Sequence, residues 1–396
     1  MAISFKRITS SVNFIPEIDG LRFIAITSVV LYHLSHFLTV KTSGPDTGTN
    51  VSLLQKILAN GNLGVPLFFA ISGFILGMPF AKFHLQNGNP VSLKKYFFRR
   101  LTRLEPPYIL VMTVLLFSVL LTKKMPLTTA LESYLSSIFY IHNFVYGKAV
   151  MPLLNAVAWS LEIEVQFYIL APLMGFIFSI RSASARRVLM GGIACFFLIL
   201  NYFINLPFIS LINYIQYFFI GFLLVDLYLS NSFILPKTKF DTLIALVFFT
   251  FLWLFNKGNF DTGFKKCIWE LTILGSIFLF YYYVLIHKVF KFLSLSFFTN
   301  IGGMCYSIYL LHYPIISLIG NPLLKHSFSR YVFVNLSIYS IVLLLAVGVN
   351  LAIFFLHIER PCMDKDWYKK FAKPSWKVFK QPAKTFKPSG KIAGQI

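Results

Sequence analysis

The sequence predicts an all-α polytopic membrane protein with about ten transmembrane helices. The 396-residue chain is 57% hydrophobic and only 13% charged, about half the charged fraction of a soluble globular protein. Its apolar residues also gather in runs of about 17–25 residues, the length with which a helix crosses the hydrocarbon core of a bilayer. Ten such runs lie near residues 21–40, 62–81, 106–122, 157–180, 188–206, 210–229, 241–256, 267–287, 298–320 and 332–357.

The distribution of basic residues predicts that both termini are cytoplasmic. With the N terminus placed inside, the inner segments hold 26 Lys and Arg residues and the outer segments hold 10. Membrane proteins concentrate Lys and Arg in their cytoplasmic loops. The same loops account for the formal net charge of +22, so that charge does not indicate a nucleic-acid partner.

Two stretches lie outside the ten runs. Residues 131–147 are amphipathic and carry Glu132, His142 and Asn143, which predicts a segment that lies along the outer surface or re-enters the membrane. The chain divides into a membrane domain over residues 1–360 and a tail over residues 361–396 that is rich in Lys and Pro. We expect the tail to be disordered or to lie on anionic lipid headgroups.

Two ionisable residues occupy the first apolar run. Arg22 and His33 are eleven residues apart, which is about 16 Å along a helix axis and about 20° past three full turns. Both side chains should therefore share one face, and ionisable groups in membrane helices usually face the bundle interior. Taken singly, Arg22 could instead reach the headgroups and His33 could bond a neighbouring carbonyl. Asp19 precedes Arg22 by three residues, a spacing that favours an ion pair.

Two arginines flank the cytoplasmic end of the third run. Arg100 and Arg103 are neighbours on a helix, and planar guanidinium groups suit phosphate recognition. The usual enrichment of Lys and Arg in cytoplasmic loops would also explain these two arginines. His36 lies one turn beyond His33, but two histidines without an acidic third ligand do not predict a metal site.

Further polar residues lie inside later runs. Glu162 and Glu164 are two residues apart and should face different ways, so that one can face a cavity. His312 lies two residues before Pro314, which frees a backbone carbonyl that the imidazole could satisfy. Ser72 and Gly73 predict a close approach of another helix.

These residues occur in an order that resembles the bacterial acyltransferase-3 family, the membrane O-acyltransferases that modify cell-surface polysaccharides. The resemblance covers residues 14–361. It rests on Ile18–Arg22 through His33, Phe68–Phe69 to Ser72–Phe74, Arg100 with Arg103, Trp159–Leu161 to Glu164, Tyr306 to His312–Pro314, and Glu359–Pro361.

The resemblance implies a donor, an acceptor and a set of site residues. The donor is a cytoplasmic acyl-CoA, commonly acetyl-CoA and alternatively succinyl-CoA, and no metal is expected. The acceptor is a saccharide or lipid-linked glycan of the cell envelope, such as lipopolysaccharide O-antigen or exopolysaccharide, which places the protein in the bacterial inner membrane. The Arg22–His33 pair, Arg100 with Arg103, and Glu164 correspond to residues important in the family, whereas Glu162 is extra.

Together these inferences give a hypothesis for the mechanism. Arg22, Arg100 and Arg103 bind the CoA phosphates, and His33 removes the proton from the acceptor hydroxyl or carries the acyl group itself. Glu164, or else Glu162, orients the acceptor or His33. Supporting roles are expected for Asp19, Ser72, Trp159 and His312. A saccharide or anion transporter and a non-catalytic membrane sensor remain alternatives, as do different acceptor sugars and oligomeric states.

Overall fold

The computed structural model describes residues 5–8, 14–42, 53–230, 234–255, 263–364 and 366–368, and this part of the chain is helical without a β-strand. Its α-helices are α1 (Pro16–Thr42), α2 (Leu53–Ala59), α3 (Gly64–Leu85), α4 (Leu93–Leu121), α5 (Leu127–Ile138), α6 (His142–Val145), α7 (Trp159–Met174), α8 (Ala183–Phe203), α9 (Ile215–Ser230), α10 (Asp241–Leu254), α11 (Gly263–Leu285), α12 (Ser296–Gly303), α13 (Cys305–Leu323), α14 (Val332–Phe354) and α15 (Arg360–Cys362). Single 3-10 turns adjoin several of them, and a π-helical turn, Phe355–Glu359, joins α14 to α15.

Seven helical segments of the described chain are long and apolar enough to cross a membrane, and the bent pair α12–α13 makes an eighth if it counts as one span. The other two predicted runs form the shorter apolar helices α9 and α10. Their 16 and 14 residues span about 24 and 21 Å, less than the roughly 30 Å of a hydrocarbon core. The polytopic membrane class is therefore confirmed, while the count of ten crossings stays a prediction.

Helix α1 lies at the centre of the bundle. Its first half packs into a large apolar core through Ile18, Leu21 and Ala25. Its second half packs through Ile26 and Val30, among others, into a second core with α13 and α14. Asp19 and Ser28, the buried polar residues of α1, are held inside the protein, as the cost of exposing polar groups to lipid requires.

The predicted close approach at Ser72–Gly73 is confirmed. A Cβ on Gly73 would collide with the carbonyl of Phe218 on α9, and a Cβ on Gly221 would collide with the backbone of α3. Reciprocal glycines thus let α3 and α9 pack backbone to backbone. This packing fixes the position of Ser72 beside α7.

The predicted run 298–320 is broken rather than continuous. Helices α12 and α13 meet at an angle of 69°. The break follows Gly302, where a Cβ would collide with the backbone carbonyl of Asp19 on α1. The close contact with α1 places the beginning of α13 beside Asp19.

The third predicted run begins too late. Helix α4 starts at Leu93 and contains Pro106 and Pro107 in its interior. Because Pro106 has no N–H group, it leaves the carbonyl of Thr102 without its helical donor. The indole Nε1–H of Trp367 donates to that carbonyl at 3.0 Å, so the helix continues through the prolines and carries Arg100 and Arg103 on the same rigid element.

The described beginning and end of the chain meet at one end of the bundle. Nε of Arg360 donates to the carbonyl oxygen of Lys6 at 3.2 Å, and Tyr368 contacts the ring of Phe98 on α4. Most of the predicted disordered tail, from residue 369 onward, lies outside the described residues.

The amphipathic stretch 131–147 forms α5 and α6, which are too short to cross a membrane. The hydroxyl of Tyr108 on α4 donates to the carbonyl of Ser137 at 3.0 Å. The backbone N–H of Asn143 donates to Glu162 on α7 at 3.0 Å. The segment is thus packed on α4 and α7.

Candidate active site

Arg22 and His33 face the same neighbouring helix, as their spacing predicts. Arg22 lies near Cys305 at the beginning of α13. Eleven residues further along α1, Nδ1 of His33 lies 3.2 Å from Nε2 of His312, which is also on α13. Since Cys305 and His312 are two turns apart on α13, the two site residues of α1 lie along one common helix–helix contact.

The predicted Asp19–Arg22 ion pair is confirmed and has a third member. Nη1 of Arg22 donates to Oδ1 of Asp19 at 2.8 Å, and Nε of Arg7 donates to Oδ2 at 2.7 Å. Asp19 is fully buried. Burial lowers the pKa of Arg7 to about 10, and the charges of Arg22 and Arg103 act in the same direction against that of Asp19. Arg7 therefore still carries its charge near neutral pH.

Arg100 is held by aromatic rings. Its guanidinium carbon lies 4.1 Å from the ring centroid of Tyr96 and 5.2 Å from that of Tyr168. The hydroxyl of Tyr96 donates to the backbone carbonyl of Tyr168 at 3.1 Å, which locks the two rings together. Stacking orients a guanidinium group without neutralising it.

Arg103 points into the same region. Its Nε is buried and has no hydrogen-bond partner in the described part of the protein. Arg103 interacts electrostatically with Arg7, and both Arg100 and Arg103 interact with the ring hydroxyl of Tyr168. We call Arg7, Arg22, Arg100 and Arg103 the arginine cluster.

The two glutamates of α7 face different ways, as predicted. Oε1 of Glu164 accepts a hydrogen bond from Oγ of Ser72 at 2.5 Å, and Glu164 interacts electrostatically with Arg22. Glu162 is buried on the other side, where its Oε2 accepts from the backbone N–H of Asn143. Glu164 therefore belongs to the surroundings of the arginine cluster, and the expected orientation of His33 by Glu164 is not a direct contact in the described structure.

Trp159 takes part in the packing of α7. Its carbonyl accepts from Nδ2 of Asn143 at 3.1 Å, and its ring lies 5.5 Å from that of Tyr214. These contacts tie α7 to α6 and to the residue that precedes α9.

His33 and His312 form the second half of the site. Nδ1 of His33 lies 3.0 Å from the carbonyl oxygen of Val29. Nδ1 of His312 lies 2.8 Å from the carbonyl of Ile308 and 3.0 Å from that of Tyr309. We call His33 and His312 the histidine pair.

The expectation that His312 satisfies the carbonyl freed by Pro314 is wrong. The freed carbonyl is that of Leu310, four residues before the proline. Nδ2 of Asn155 donates to it at 2.9 Å. His312 is therefore available to bond His33.

A small cavity of about 190 Å³ lies beside Tyr32, the neighbour of His33, toward the C-terminal end of α1. It is lined by Tyr32, Ser35, His36, Thr39, Gln55 and Ala59. The ring of Tyr32 contacts both His33 and His36. Within the described residues no three His, Cys, Asp or Glu side chains converge as a metal site would require.

Three contributors to the site do not follow from the local sequence patterns. Arg7 was missed because it lies outside α1, where helical spacing does not determine its distance to Asp19. Tyr96 could have been found from its four-residue spacing to Arg100. Glu359, noted above only as part of a motif, is fully buried, accepts from the backbone N–H of Ser307 at 2.9 Å and from its hydroxyl, and interacts with Arg22 and Arg103.

Comparison with known proteins agrees with the resemblance. A family model described as "Acyltransferase domain" matches residues 15–355. O-acetyltransferase OatA of Staphylococcus aureus (strain NCTC 8325 / PS 47) is 26% identical over 405 residues, which cover 93% of this chain and 60% of that protein. A "Putative O-acetyltransferase" of Staphylococcus aureus (strain COL) is 28% identical over 362 residues, which cover 82% of this chain and 55% of that protein.

The chain thus spans about 60% or less of the length of these curated relatives. No solved structure matches it. The matched region contains the histidine pair and all of the arginine cluster except Arg7. The ordered motifs and the family match over residues 15–355 lead to one conclusion: the chain belongs to the acyltransferase-3 family.

Proposed function

We propose that this protein is a membrane O-acyltransferase that moves an acyl group, in the first instance acetyl, from cytoplasmic acyl-CoA to a hydroxyl of a cell-envelope saccharide. The relatives named as O-acetyltransferases support this reaction class. The observation that carries the proposal is that Arg22, a member of the arginine cluster, and the imidazole of His33 lie along the same contact between α1 and α13.

The arginine cluster has the properties of a phosphate-binding site. Among the described residues its four cations face three carboxylates, those of Asp19, Glu164 and Glu359, which leaves an excess of positive charge. The guanidinium carbon of Arg100 lies over the ring of Tyr96, and the buried Nε of Arg103 has no hydrogen-bond acceptor among the described residues. Both features suit guanidinium groups that bind phosphate oxygens through parallel N–H donors.

His33 is placed to act on the thioester end of the same donor. It lies about 16 Å beyond Arg22 along α1, a separation that an extended pantetheine arm between the helices would cover. An imidazole has its unperturbed pKa near neutral and so exchanges protons readily. His33 takes the proton of the acceptor hydroxyl while that oxygen attacks the thioester carbonyl carbon. The carbon–sulfur bond then breaks, and His33 returns the proton to the sulfur of CoA.

The cavity beside Tyr32 offers the acceptor a route. It lies on the side of His33 away from the arginine cluster, and its lining includes hydroxyl, amide and imidazole side chains that can hydrogen-bond the hydroxyl groups of a saccharide. A lipid-linked glycan, O-antigen or exopolysaccharide unit would approach from this side. The donor would approach from the other.

We also propose a location for the protein and an orientation in the membrane. The protein lies in the bacterial inner membrane among its lipids, with both termini and the arginine cluster on the cytoplasmic side. Support comes from the 26-to-10 bias of basic residues and from the contact between Arg360 and Lys6, which brings the two ends of the described chain together. In this arrangement α9 and α10 complete ten crossings.

The test uses inverted membrane vesicles, which expose the cytoplasmic face, and acetyl-CoA labelled in its acetyl group. We expect release of free CoA thiol together with alkali-labile label in the saccharide fraction. His33→Ala should lower transfer by about 10²–10⁴-fold, the usual contribution of a general base, while calorimetric binding of CoA to the purified protein stays nearly unchanged. His326→Ala is the control, because the exposed side chain of His326, beyond the C-terminal end of α13, lies outside the arginine cluster, the histidine pair and the cavity, and this variant should leave the rate unaltered.

Two results would contradict the proposal. A His33→Ala protein that still acetylates at the normal rate would remove His33 from the mechanism. Vesicles that move saccharide across the membrane without releasing CoA thiol would instead favour a transporter.

A further inference from the structure

The hydrogen bonds around the histidine pair determine where its protons lie. A carbonyl oxygen can only accept a hydrogen bond. Nδ1 of His312 faces the carbonyls of Ile308 and Tyr309 at 2.8 and 3.0 Å, so Nδ1 carries the proton of that ring. In the neutral imidazole, Nε2 of His312 then presents a lone pair, and it presents this lone pair to Nδ1 of His33.

The proton position on His33 follows by the same reasoning. Nδ1 of His33 faces two acceptors, the carbonyl of Val29 at 3.0 Å and Nε2 of His312 at 3.2 Å. Both contacts are attractive only if Nδ1 of His33 bears a proton. The second nitrogen of His33, Nε2, is consequently the unprotonated one. A doubly protonated His312 would bring two N–H groups against each other at this contact.

We propose that His312 is the positioning residue of the general base, which fixes His33 in the tautomer whose Nε2 can accept a proton and stabilises the imidazolium that forms. The proposal rests on the proposed acyltransferase function. When Nε2 of His33 takes the hydroxyl proton, the positive charge spreads to Nδ1–H, which already donates to the lone pair of His312. The proton on Nδ1 stays on His33, and the proton on Nε2 leaves with the CoA sulfur, so the pair returns to its starting state.

The pair resembles the orienting interaction in serine hydrolases, in which a carboxylate bonds Nδ1 of the catalytic histidine. Here the partner is a neutral imidazole. A buried carboxylate without a cation would be costly at this depth of the membrane, whereas His312 is neutral in the resting state. The lone pair of His312 is therefore a weaker hydrogen-bond acceptor than a carboxylate, but the neutral ring adds no net charge to the apolar interior.

The surroundings hold His312 in place independently of His33. His312 is fully buried. One turn earlier, the hydroxyl of Tyr309 contacts Oγ of Ser160 at 3.2 Å and donates to the carbonyl of Val157. Asn155 satisfies the carbonyl of Leu310. These bonds join α13 to the beginning of α7, so the lone pair of His312 has a fixed direction.

The first test reads the tautomer directly. The purified protein with ring-¹⁵N-labelled histidine is studied by solid-state NMR in lipid bilayers, and the signals of His33 are identified by their loss in His33→Gln. We expect a protonated Nδ1 and an unprotonated Nε2 on His33 at neutral pH. A proton on Nε2 of His33 would overturn the proposal.

The second test separates positioning from structure by kinetics with acetyl-CoA in the inverted vesicles. His312→Leu removes the hydrogen-bond acceptor but keeps a side chain of similar size. We expect kcat to fall about 10²-fold, the lower end of a general-base contribution, with little change in the KM for acetyl-CoA. His312→Gln can place its side-chain oxygen near the position of Nε2 and should recover most of the rate.

A double variant tests whether His312 acts only by positioning His33. If His312 acts only through His33, adding His312→Leu to His33→Ala should cause no further loss, because residues that act as a unit are non-additive. A further loss of similar size in the double variant, or a His312→Leu protein with the normal kcat, would refute the proposal. Failure of the wild-type protein to turn over acetyl-CoA would count against the proposed function alone, and the NMR measurement would still decide the tautomer.

Discussion

The arginine cluster and the histidine pair each include one residue of α1, Arg22 and His33, and their buried polar groups are satisfied in different ways. At the arginine cluster, charge is kept and balanced: Asp19 is fully buried between Arg7 and Arg22. At the histidine pair, two neutral rings satisfy each other and three backbone carbonyls. The difference shows that the buried formal charges near α1 gather at its N-terminal end, while neutral imidazoles meet further along the helix. In the proposed mechanism His33 becomes charged only during turnover.

The largest expected effect concerns stability at the arginine cluster. Asp19→Asn keeps the shape of the side chain but leaves Arg7 and Arg22 without their carboxylate. Breaking a buried ion pair by removing one partner costs about 3–5 kcal/mol. We expect a clear loss of thermal stability of the detergent-solubilised protein, measured by the temperature of half-unfolding.

The matched control is Glu17→Gln, two residues earlier on α1. Glu17 pairs with Lys288 at 3.0 Å, and Lys288 is 37% exposed, so this pair should contribute little. Equal losses of thermal stability in Asp19→Asn and Glu17→Gln would mean that the ion pairs of Asp19 stabilise the protein no more than the pair of Glu17 with Lys288. His312→Gln should likewise leave stability nearly unaltered, since it exchanges one neutral group for another.

A smaller effect is expected on donor binding. Arg100→Ala removes a guanidinium group that we assign to a CoA phosphate, and charge-assisted hydrogen bonds contribute about 1.5–3 kcal/mol. The KM for acetyl-CoA should rise about 10–100-fold with a smaller change in kcat. The neighbouring exposed Arg99→Ala removes the same charge from α4 and serves as the control. A KM that is equal in the two variants would show that only the net charge of α4 matters.

The smallest effect should come from salt. Ions screen charges over about 8 Å at physiological ionic strength, but the arginine cluster is partly shielded from solvent. We expect a several-fold rise in the KM for acetyl-CoA between low and high salt, with kcat unchanged because the histidine pair is neutral. A kcat that falls with salt while KM stays constant would reverse the comparison between the two regions.

Local patterns predicted much of this arrangement. Helical periodicity placed Arg22 and His33 on one face, the three-residue spacing paired Asp19 with Arg22, and the two-residue spacing separated Glu162 from Glu164. Each of these relations lies within a single helix, where geometry follows from the rise and turn per residue.

Relations between helices could not be predicted in the same way. His33 and His312 are 279 residues apart, and nothing in either local sequence specifies that their nitrogens meet. Arg7 lies outside α1, so helical spacing could not predict its contact with Asp19. Helix lengths also depended on local hydrogen bonds between side chains and the backbone. The run 210–229 begins with a separate 3-10 turn, because the side chain of Asn213 accepts from the backbone N–H of Ser210 at 2.9 Å.

The contact between Gly302 and Asp19 bears on the chemistry from a distance. It fixes the position of α12, and through the bend the beginning of α13, against α1, because the two backbones come close there without an intervening side chain. A displacement of one residue along a helix is about 1.5 Å, enough to separate the two imidazole rings. A bulkier residue at this crossing would therefore push the helices apart and disturb the histidine pair, about four turns further along α1, while leaving every reacting group intact.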